Sequence, residues 1–249
     1  MNRTERIFRR WKFSPFPRFF KDLFDFVYPP ICLLCDDRYE GSGPVCPACR
    51  RRLRDSIRIQ VQSGRNDFHQ LSGSLFFDRA LTCWDFTPEL ENLIHQVKYQ
   101  GRKKLGLFLG KIAGSAFRDS VEAIPMNGIL VPVPLHRVRL REREFNQSEW
   151  IAKGMAESVR GSIRADILQR KRNTRTQTAL SAAAREKNVA EAFLIRHPES
   201  VCGCSVVLVD DVITTGATLN ACARVLKESG AESVVGLALA RPRMNVDRL

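Results

Sequence analysis

Two adjacent carboxylates, Asp210 and Asp211, directly follow the short β-branched run Val206–Val209. Thr214, Thr215, Gly216, Ala217 and Thr218 come next. The two acids can accept hydrogen bonds from sugar hydroxyls or help hold a divalent cation, but they cannot ligate phosphate. The five residues after them can. Their backbone N–H groups stand where a helix begins, at its positive dipole end. Thr214, Thr215 and Thr218 add hydroxyl donors, and Gly216 lets the backbone come close. Diol acceptors beside phosphate donors suit a ribose 5-phosphate.

A second set of charged residues follows another apolar run, Ile129–Val133. After Pro134, Leu135 and His136, arginines recur at every second position (Arg137, Arg139, Arg141, Arg143), and Asn146 and Gln147 come shortly after. At a plain helix start these arginines would form a solvated face. At the end of a strand they become a polyanion clamp, because planar guanidinium forks match phosphate oxygens.

A third set is four thiols in two C-x2-C pairs, Cys32 with Cys35 and Cys46 with Cys49. Such pairs can place four thiolates at the corners of a tetrahedron, a geometry that suits a structural Zn2+. Two disulfides or four idle thiols are the alternatives, and a reducing compartment favours zinc. Gly41, Gly43 and Pro44 supply the turn between the knuckles. Cys83, Cys202, Cys204 and Cys222 have no knuckle partner.

The elements that must position these groups alternate in type. Val206–Val209 reads as a buried strand, and the Leu219, Cys222, Ala223, Leu226 spacing as one face of a helix ending near Gly230. Ser233–Ala240 is a further strand. Earlier, Ala80–Phe86 reads as a strand. Thr87-Pro88-Glu89 opens a helix whose face is Leu90, Leu93, Ile94 and Val97. Lys98, near its end, reads as solvated or as capping carbonyls. A second helix spans Leu105–Phe117, and a long helix runs from the arginine segment to about Val159. Arg50–Ser74 reads as a polar, irregular connector. The predicted fold is α/β: a mostly parallel sheet flanked by helices, preceded by a small four-cysteine zinc module. The predicted divisions are a basic aromatic segment over 1–25, a zinc module over 26–60 and the α/β domain over 75–249.

The motif VVLVDDVITTGAT resembles the phosphoribosyl-pyrophosphate (PRPP) signature of type I phosphoribosyltransferases. With VPVPLHRVRLREREFNQ, RKRNTRTQTALSAAAREKN and the cysteine pairs, the chain is similar to the ComF family, over roughly Phe26 to Pro242. The resemblance implies a type I phosphoribosyltransferase-like fold, PRPP and Mg2+ as ligands, and a link to DNA uptake in natural transformation. It assigns Asp210 and Asp211 to the ribose hydroxyls and Thr214, Thr215, Gly216, Ala217 and Thr218 to the 5-phosphate. It assigns Pro134–Gln147 to a pyrophosphate loop. A flexible loop over Lys171–Asn188 supplies Arg172, Arg175, Gln177 and Arg185. The chain departs from the family pattern at Glu144, where glycine is expected. Glycine there would permit positive φ or a close phosphate, and a carboxylate adds repulsion.

Length and charge set the bounds. The 249 residues have room for one full α/β domain plus a small module. No run reaches the roughly 18 apolar residues of a membrane span. The basic N-terminus is interrupted by Pro15 and Pro17 and does not read as a signal peptide, which leaves the cytoplasm as the expected compartment. The net charge of +13 exceeds what one phosphorylated substrate needs, and points to nucleic acid or a membrane surface as well. Two functions follow. One is an enzyme that moves the phosphoribosyl group of PRPP to a nitrogen nucleophile. The other is a PRPP-fold scaffold that holds single-stranded DNA or an uptake partner.

Overall fold

The structure is a computed structural model that describes residues 29–71, 73–120, 128–159, 161–171 and 192–242. The N-terminal segment 1–25 and the loop residues Arg172, Arg175, Gln177 and Arg185 lie outside the described residues. The chain divides into two compact units, residues 1–46 and 47–249.

In the first unit the chain turns tightly around Cys32. The Cys32 N–H donates to Asp37 O at 2.9 Å, the Asp36 N–H donates to Cys32 O at 2.9 Å, and Ile31 and Arg38 form an isolated antiparallel bridge. Gly41 and Gly43 both take positive φ, as a turn between knuckles requires.

The second unit begins with α1 (Pro47–Asp55), β1 (Gln60–Gln62) and β2 (Arg79–Asp85). Helix α2 (Pro88–Tyr99) starts where the sequence indicates. Thr87 caps it, its hydroxyl accepting from the Leu90 N–H at 3.3 Å, and Pro88 and Glu89 occupy the first turn. Then come α3 (Lys103–Asp119), β3 (Ile129–Pro132), a short α4 (Arg137–Arg143) and α5 (Gln147–Ala156). The chain closes with β4 (Leu168–Arg170), β5 (Phe193–Ile195), β6 (Ser205–Val212), α6 (Ala217–Glu228) and β7 (Ser233–Arg241).

The central sheet has the order β1-β2-β7-β6-β3. Every pairing is parallel except β1 with β2. Strands β4 and β5 form a separate antiparallel pair. Strand β6 is longer than the apolar run that signals it. Its ladder with β7 continues through Asp210↔Ala238 to Val212↔Ala240, so both acids lie within the strand rather than after it.

Helices cover both faces. On one, Leu219, Cys222, Ala223 and Leu226 of α6 share a core cluster with Val206, Leu208, Val234 and Ala238. Phe68, Leu71 and Phe77 belong to the same cluster. The segment read as an irregular connector therefore contains most of α1, all of β1 and the core side chains Leu53, Phe68 and Leu71. On the other face α5 lies against β3 and β6, and α3 lies along α5.

Helices α3 and α5 approach backbone to backbone. Gly106, Gly110 and Gly114 form a stripe at i, i+4, i+8 on α3, and Gly154 faces it from α5. A Cβ on Gly110 would stand 2.2 Å from Ile151 O, and one on Gly154 would stand 2.1 Å from Leu107 O. No flexible side chain can yield there, so Gly110→Ala must push the helices apart. We expect it to cost about 2–3 kcal/mol, read as a lower urea midpoint at unchanged slope.

Candidate functional site

A cleft of about 250 Å3 opens at the carboxyl ends of β3 and β6. Its walls are Val133, Pro134, Leu135 and His136 after β3, Asp210 and Asp211 of β6, and Thr218 of α6. Lys98 of α2, Arg139 and Arg143 of α4, Gln147 of α5 and Arg170 of β4 complete it. In open α/β sheets this is the end where ligands bind. Four cationic side chains against two carboxylates give the cleft a surplus of positive charge, which suits a polyanion.

The two acids are held differently. Asp210 is half-buried. Its Oδ1 accepts from the Ser148 hydroxyl at 3.0 Å and from the Asp211 N–H at 2.8 Å. Burial, reinforced by the Asp211 charge, pushes its carboxyl up to about 7, against the pull of those two donors and of Lys98. Asp211 is only 5% exposed, and its Oδ2 lies 3.0 Å from Lys98 Nζ. Lys98 is thus neither a solvated helix-end lysine nor a carbonyl cap. It stands four residues after Ile94 and next to Val97, on the buried side of α2, and that position was the readable sign of its role.

The arginine run divides in two. Residues on a helix advance about 100° each, so Arg137 and Arg141 share one side of α4 while Arg139 and Arg143 share the opposite side. Arg139 and Arg143 line the cleft, and Arg137 and Arg141 are exposed outside it. Arg143 donates to Gln147 Oε1 and to Tyr99 Oη, both at 3.1 Å, and stacks on the Tyr99 ring at 4.8 Å. Arg170 leans on Phe193 at 5.2 Å. Burial, with the like charge of Arg139, pulls its guanidinium below the usual value. Arg170 opens the motif RKRNTRTQTALSAAAREKN, but the flexible loop expected there starts one residue later, at Lys171, so Arg170 carried no assigned role.

The remaining loop residues hold the frame. His136 Nδ1 accepts from the Val138 N–H at 3.3 Å, and Nε2 lies 3.2 Å from Lys171 O, which makes Nε2 the protonated nitrogen. Asn146 caps α5 by accepting from the Ser148 N–H, and its Nδ2 donates to Val133 O at 3.0 Å, tying the loop to β3. Gly216 at φ +83 precedes α6 and packs against Phe68, whose ring a Cβ would meet at 2.6 Å. Thr215 Oγ1 accepts from the Ala217 N–H at 3.3 Å, Ala217 begins the helix, and Thr214 is exposed.

Glu144 ends α4 at φ +63, so this position does require the left-handed conformation. Its side chain is exposed and is not among the cleft lining, so it makes no direct contact with an anion held there.

The four knuckle thiols also come together. The Sγ atoms of Cys32, Cys35, Cys46 and Cys49 lie within 4.8 Å of one another, with Cys35 and Cys46 at 3.9 Å. Tetrahedral Zn2+ with Zn–S near 2.3 Å spaces its sulfurs about 3.8 Å apart, so the arrangement suits the metal. Burial opposes ionisation of Cys32. Backbone N–H groups, led by that of Cys46 at 3.3 Å, outweigh it and bring the thiol to about 7.

Residues 143–244 match the family of phosphoribosyl transferase domains, and residues 23–60 match the double zinc ribbon domain. The chain is 30% identical over 223 residues to the DNA utilization protein YhgH of Salmonella typhi, covering 86% of this chain and 97% of that protein. It is 29% identical over 214 residues to competence protein F of Haemophilus influenzae, covering 85% and 90%. With competence protein ComFC of Bacillus subtilis the identity is 26% over 214 residues, covering 85% and 84%. Among solved structures, the allosteric regulatory enzyme of purine biosynthesis aligns at 23% identity with a TM-score of 0.39, over 57% of this chain and 29% of that one. The zinc ribbon match and the thiol cluster together support a structural zinc.

Two outcomes are expected. Metal analysis of reduced, freshly purified protein should find about one zinc per chain, and Cys35→Ser should lose it. Glu144→Gly should stabilise the fold by about 1 kcal/mol in urea unfolding, by relieving the left-handed strain.

Proposed function

This chain belongs to the ComF (competence protein F) family, and from that premise we propose that it binds PRPP in the cleft at the ends of β3 and β6. The observation that carries the reading is the juxtaposition there of Asp210 and Asp211 with Lys98, Arg139, Arg143 and Arg170. Asp210 presents a half-buried carboxylate to the ribose hydroxyls. Asp211 sits deeper and shares its charge with Lys98. The 5-phosphate goes to the start of α6, whose cap residue Gly216 offers no side-chain bond to the first turn. Thr214 and Thr218 add their hydroxyls. The pyrophosphate faces Lys98, Arg139, Arg143 and Arg170.

In the reaction we propose, a nitrogen nucleophile forms a bond to the anomeric carbon as the bond to pyrophosphate breaks, and pyrophosphate leaves with the electron pair. Positive charge develops on the sugar and negative charge on the leaving oxygens. The arginines and Lys98 stabilise the latter, and the acids fix the ribose. The half-buried Asp210 carboxylate, with PRPP's own oxygens and water, suits a Mg2+ ion. Bound Mg2+ would neutralise leaving-group charge. One relative is named a DNA utilization protein and another a competence protein, which supports a link between this chain and DNA use.

A second reading is a scaffold that keeps PRPP affinity without turnover. It draws on His136, the one imidazole in the cleft lining, whose two ring nitrogens are both engaged. In this reading the basic surface holds single-stranded DNA. A pyrophosphate-release assay with PRPP, Mg2+ and a panel of nucleobases and amines separates the two. Binding of PRPP without release for any acceptor favours the scaffold. No helix among the described residues is long and apolar enough to cross a membrane.

Asp210→Asn tests the site and its electrostatics together. Asparagine keeps Oδ1 for Ser148 and the Asp211 N–H, so the fold should hold, while PRPP affinity by calorimetry should fall at least about tenfold. The wild-type carboxyl takes up its proton at about 7 when folded, against an ordinary value near 3.9. The folded state therefore binds more protons between those values, and stability falls as pH rises through them. Asp210→Asn removes that loss. It should melt higher than wild type at about pH 8, and the advantage should shrink towards pH 4. Equal PRPP affinity in the two proteins would remove Asp210 from the ribose site.

A further inference from the structure

Helix α3 has a second face that the cleft does not use and that the α5 end meets only along one edge, at Lys111 and Ser115. Phe108, Lys111, Ile112, Ser115, Ala116 and Asp119 recur at i, i+3, i+4, i+7, i+8 and i+11, one stripe along the helix. This stripe, with Arg50, Arg54 and Ile57 of the α1 region, lines a groove of about 630 Å3. It shares no lining residue with the cleft.

The chemistry of the groove is two-sided. Phe108, Ile112 and Ala116 give it an apolar floor with Ile57 beside them. Arg50 and Arg54, one helical turn apart on α1, make a cationic wall. Lys111 is already paired with Glu157 at 2.7 Å, and Asp119 with Arg118 at 2.8 Å, so the charge left over belongs to the arginines. Arg50 Nε is buried and has no hydrogen-bond acceptor among the described residues. A buried charged donor without an acceptor is costly, so an external oxygen is the expected partner. From Phe108 to Asp119 the stripe is about 16 Å long, which three helical turns or five extended residues would span.

Three kinds of occupant can be compared on charge and shape. The chain's own first 28 residues carry seven Arg or Lys against three acids, a net charge of the same sign as the arginine wall. A single strand held by its bases needs a series of aromatic faces for them to stack on. The Arg50 guanidinium stands over one face of the single aromatic ring, Phe108, at 5.6 Å, and the rest of the floor is aliphatic, so successive bases have no series of rings to stack on. An acidic peptide with aliphatic or aromatic anchors matches both the wall and the floor.

We propose that the α1–α3 groove docks an acidic, amphipathic segment of a partner protein, with its apolar anchors on Phe108, Ile112 and Ala116 and its carboxylates on Arg50 and Arg54. The site is separate from PRPP chemistry, so it could recruit the protein to its place of action without blocking the cleft.

The test uses the full, zinc-loaded chain and a fluorescein-labelled ten-residue probe of Asp and Glu with two Leu and one Phe, read by anisotropy. A benzoylphenylalanine version of the probe reports where it sits, by photo-crosslinking and mass spectrometry. Arg54 is exposed, so Arg54→Glu should fold normally; Arg50→Ala is the second variant. The probe should bind, each variant should weaken it at least tenfold, and so should replacing its apolar residues with Gly. Crosslinks should fall within residues 50–57 or 108–119, and PRPP with Mg2+ should not compete. Unchanged affinity in Arg54→Glu, crosslinks only elsewhere, or competition by PRPP overturns the proposal. So does a (dT)10 oligonucleotide that displaces the probe and loses its own affinity in Arg54→Glu, because the groove would then belong to nucleic acid.

Discussion

Two carboxylates on consecutive residues of a buried strand repel each other and lose water together. The rest of the site is arranged around that difficulty. The ladder between β6 and β7 continues past Asp210 and Asp211, so the backbone of both residues is fixed. Relief comes from three separate elements. Lys98 of α2 neutralises Asp211, and Ser148 of α5 and the Asp211 N–H donate to Asp210. One charge is thereby paired and buried, and the other stays half-exposed with a raised pKa. A group kept partly protonated by its surroundings gains most when a ligand supplies donors or a cation, so the instability of the free site becomes affinity for a bound one.

That arrangement depends on how closely α3, α5 and the sheet pack. Ser148, in the first turn of α5, reaches Asp210 because α5 lies against β3 and β6. The glycine stripe of α3 sets how near α5 can come to its other neighbour, with atoms at distances no Cβ would tolerate. Helix α3 thus supports the cleft with one face while its opposite face stays open as the α1–α3 groove. Phe68 plays a comparable part on the other side of the sheet. It fills the space beside Gly216 and is itself covered by Arg241 at 4.5 Å, which fixes the turn that starts α6.

Much of this was legible in the sequence, for a physical reason. Buried parallel strands need continuous apolar runs and helices need a 3.6-residue stripe, so β2, α2, β3, β6, α6 and β7 announced themselves by periodicity. The acids, the phosphate-type loop and the cysteine pairs were legible because their chemistry restricts spacing. What escaped notice was set by tertiary geometry. Arg170 sits in a three-residue strand whose place depends on β5, far along the chain. Phe68 and Leu71 lie in a polar stretch and gain their burial only from α6. The arginines at every second position suggested one clamp because a linear reading has no faces. Once Arg137–Arg143 forms a helix, the same spacing points two of them into the cleft and two away.

The distribution of charge then bears on the excess of +13. The cleft holds four cations and two acids, so it accounts for little of that excess. Helix α4 turns Arg137 and Arg141 outward at the mouth of the same cleft whose interior takes Arg139 and Arg143. A short helix with cations on both sides can meet a small polyanion on one and a polymeric one on the other, without either displacing the first from its own contacts. Glu144 at its end belongs to this outer side as well. Its carboxylate is exposed, so it lowers the charge of the outer surface while leaving the inner one unchanged. The departure from the family's glycine therefore bears on what approaches from outside, and on stability through the left-handed backbone, more than on the ligand held within.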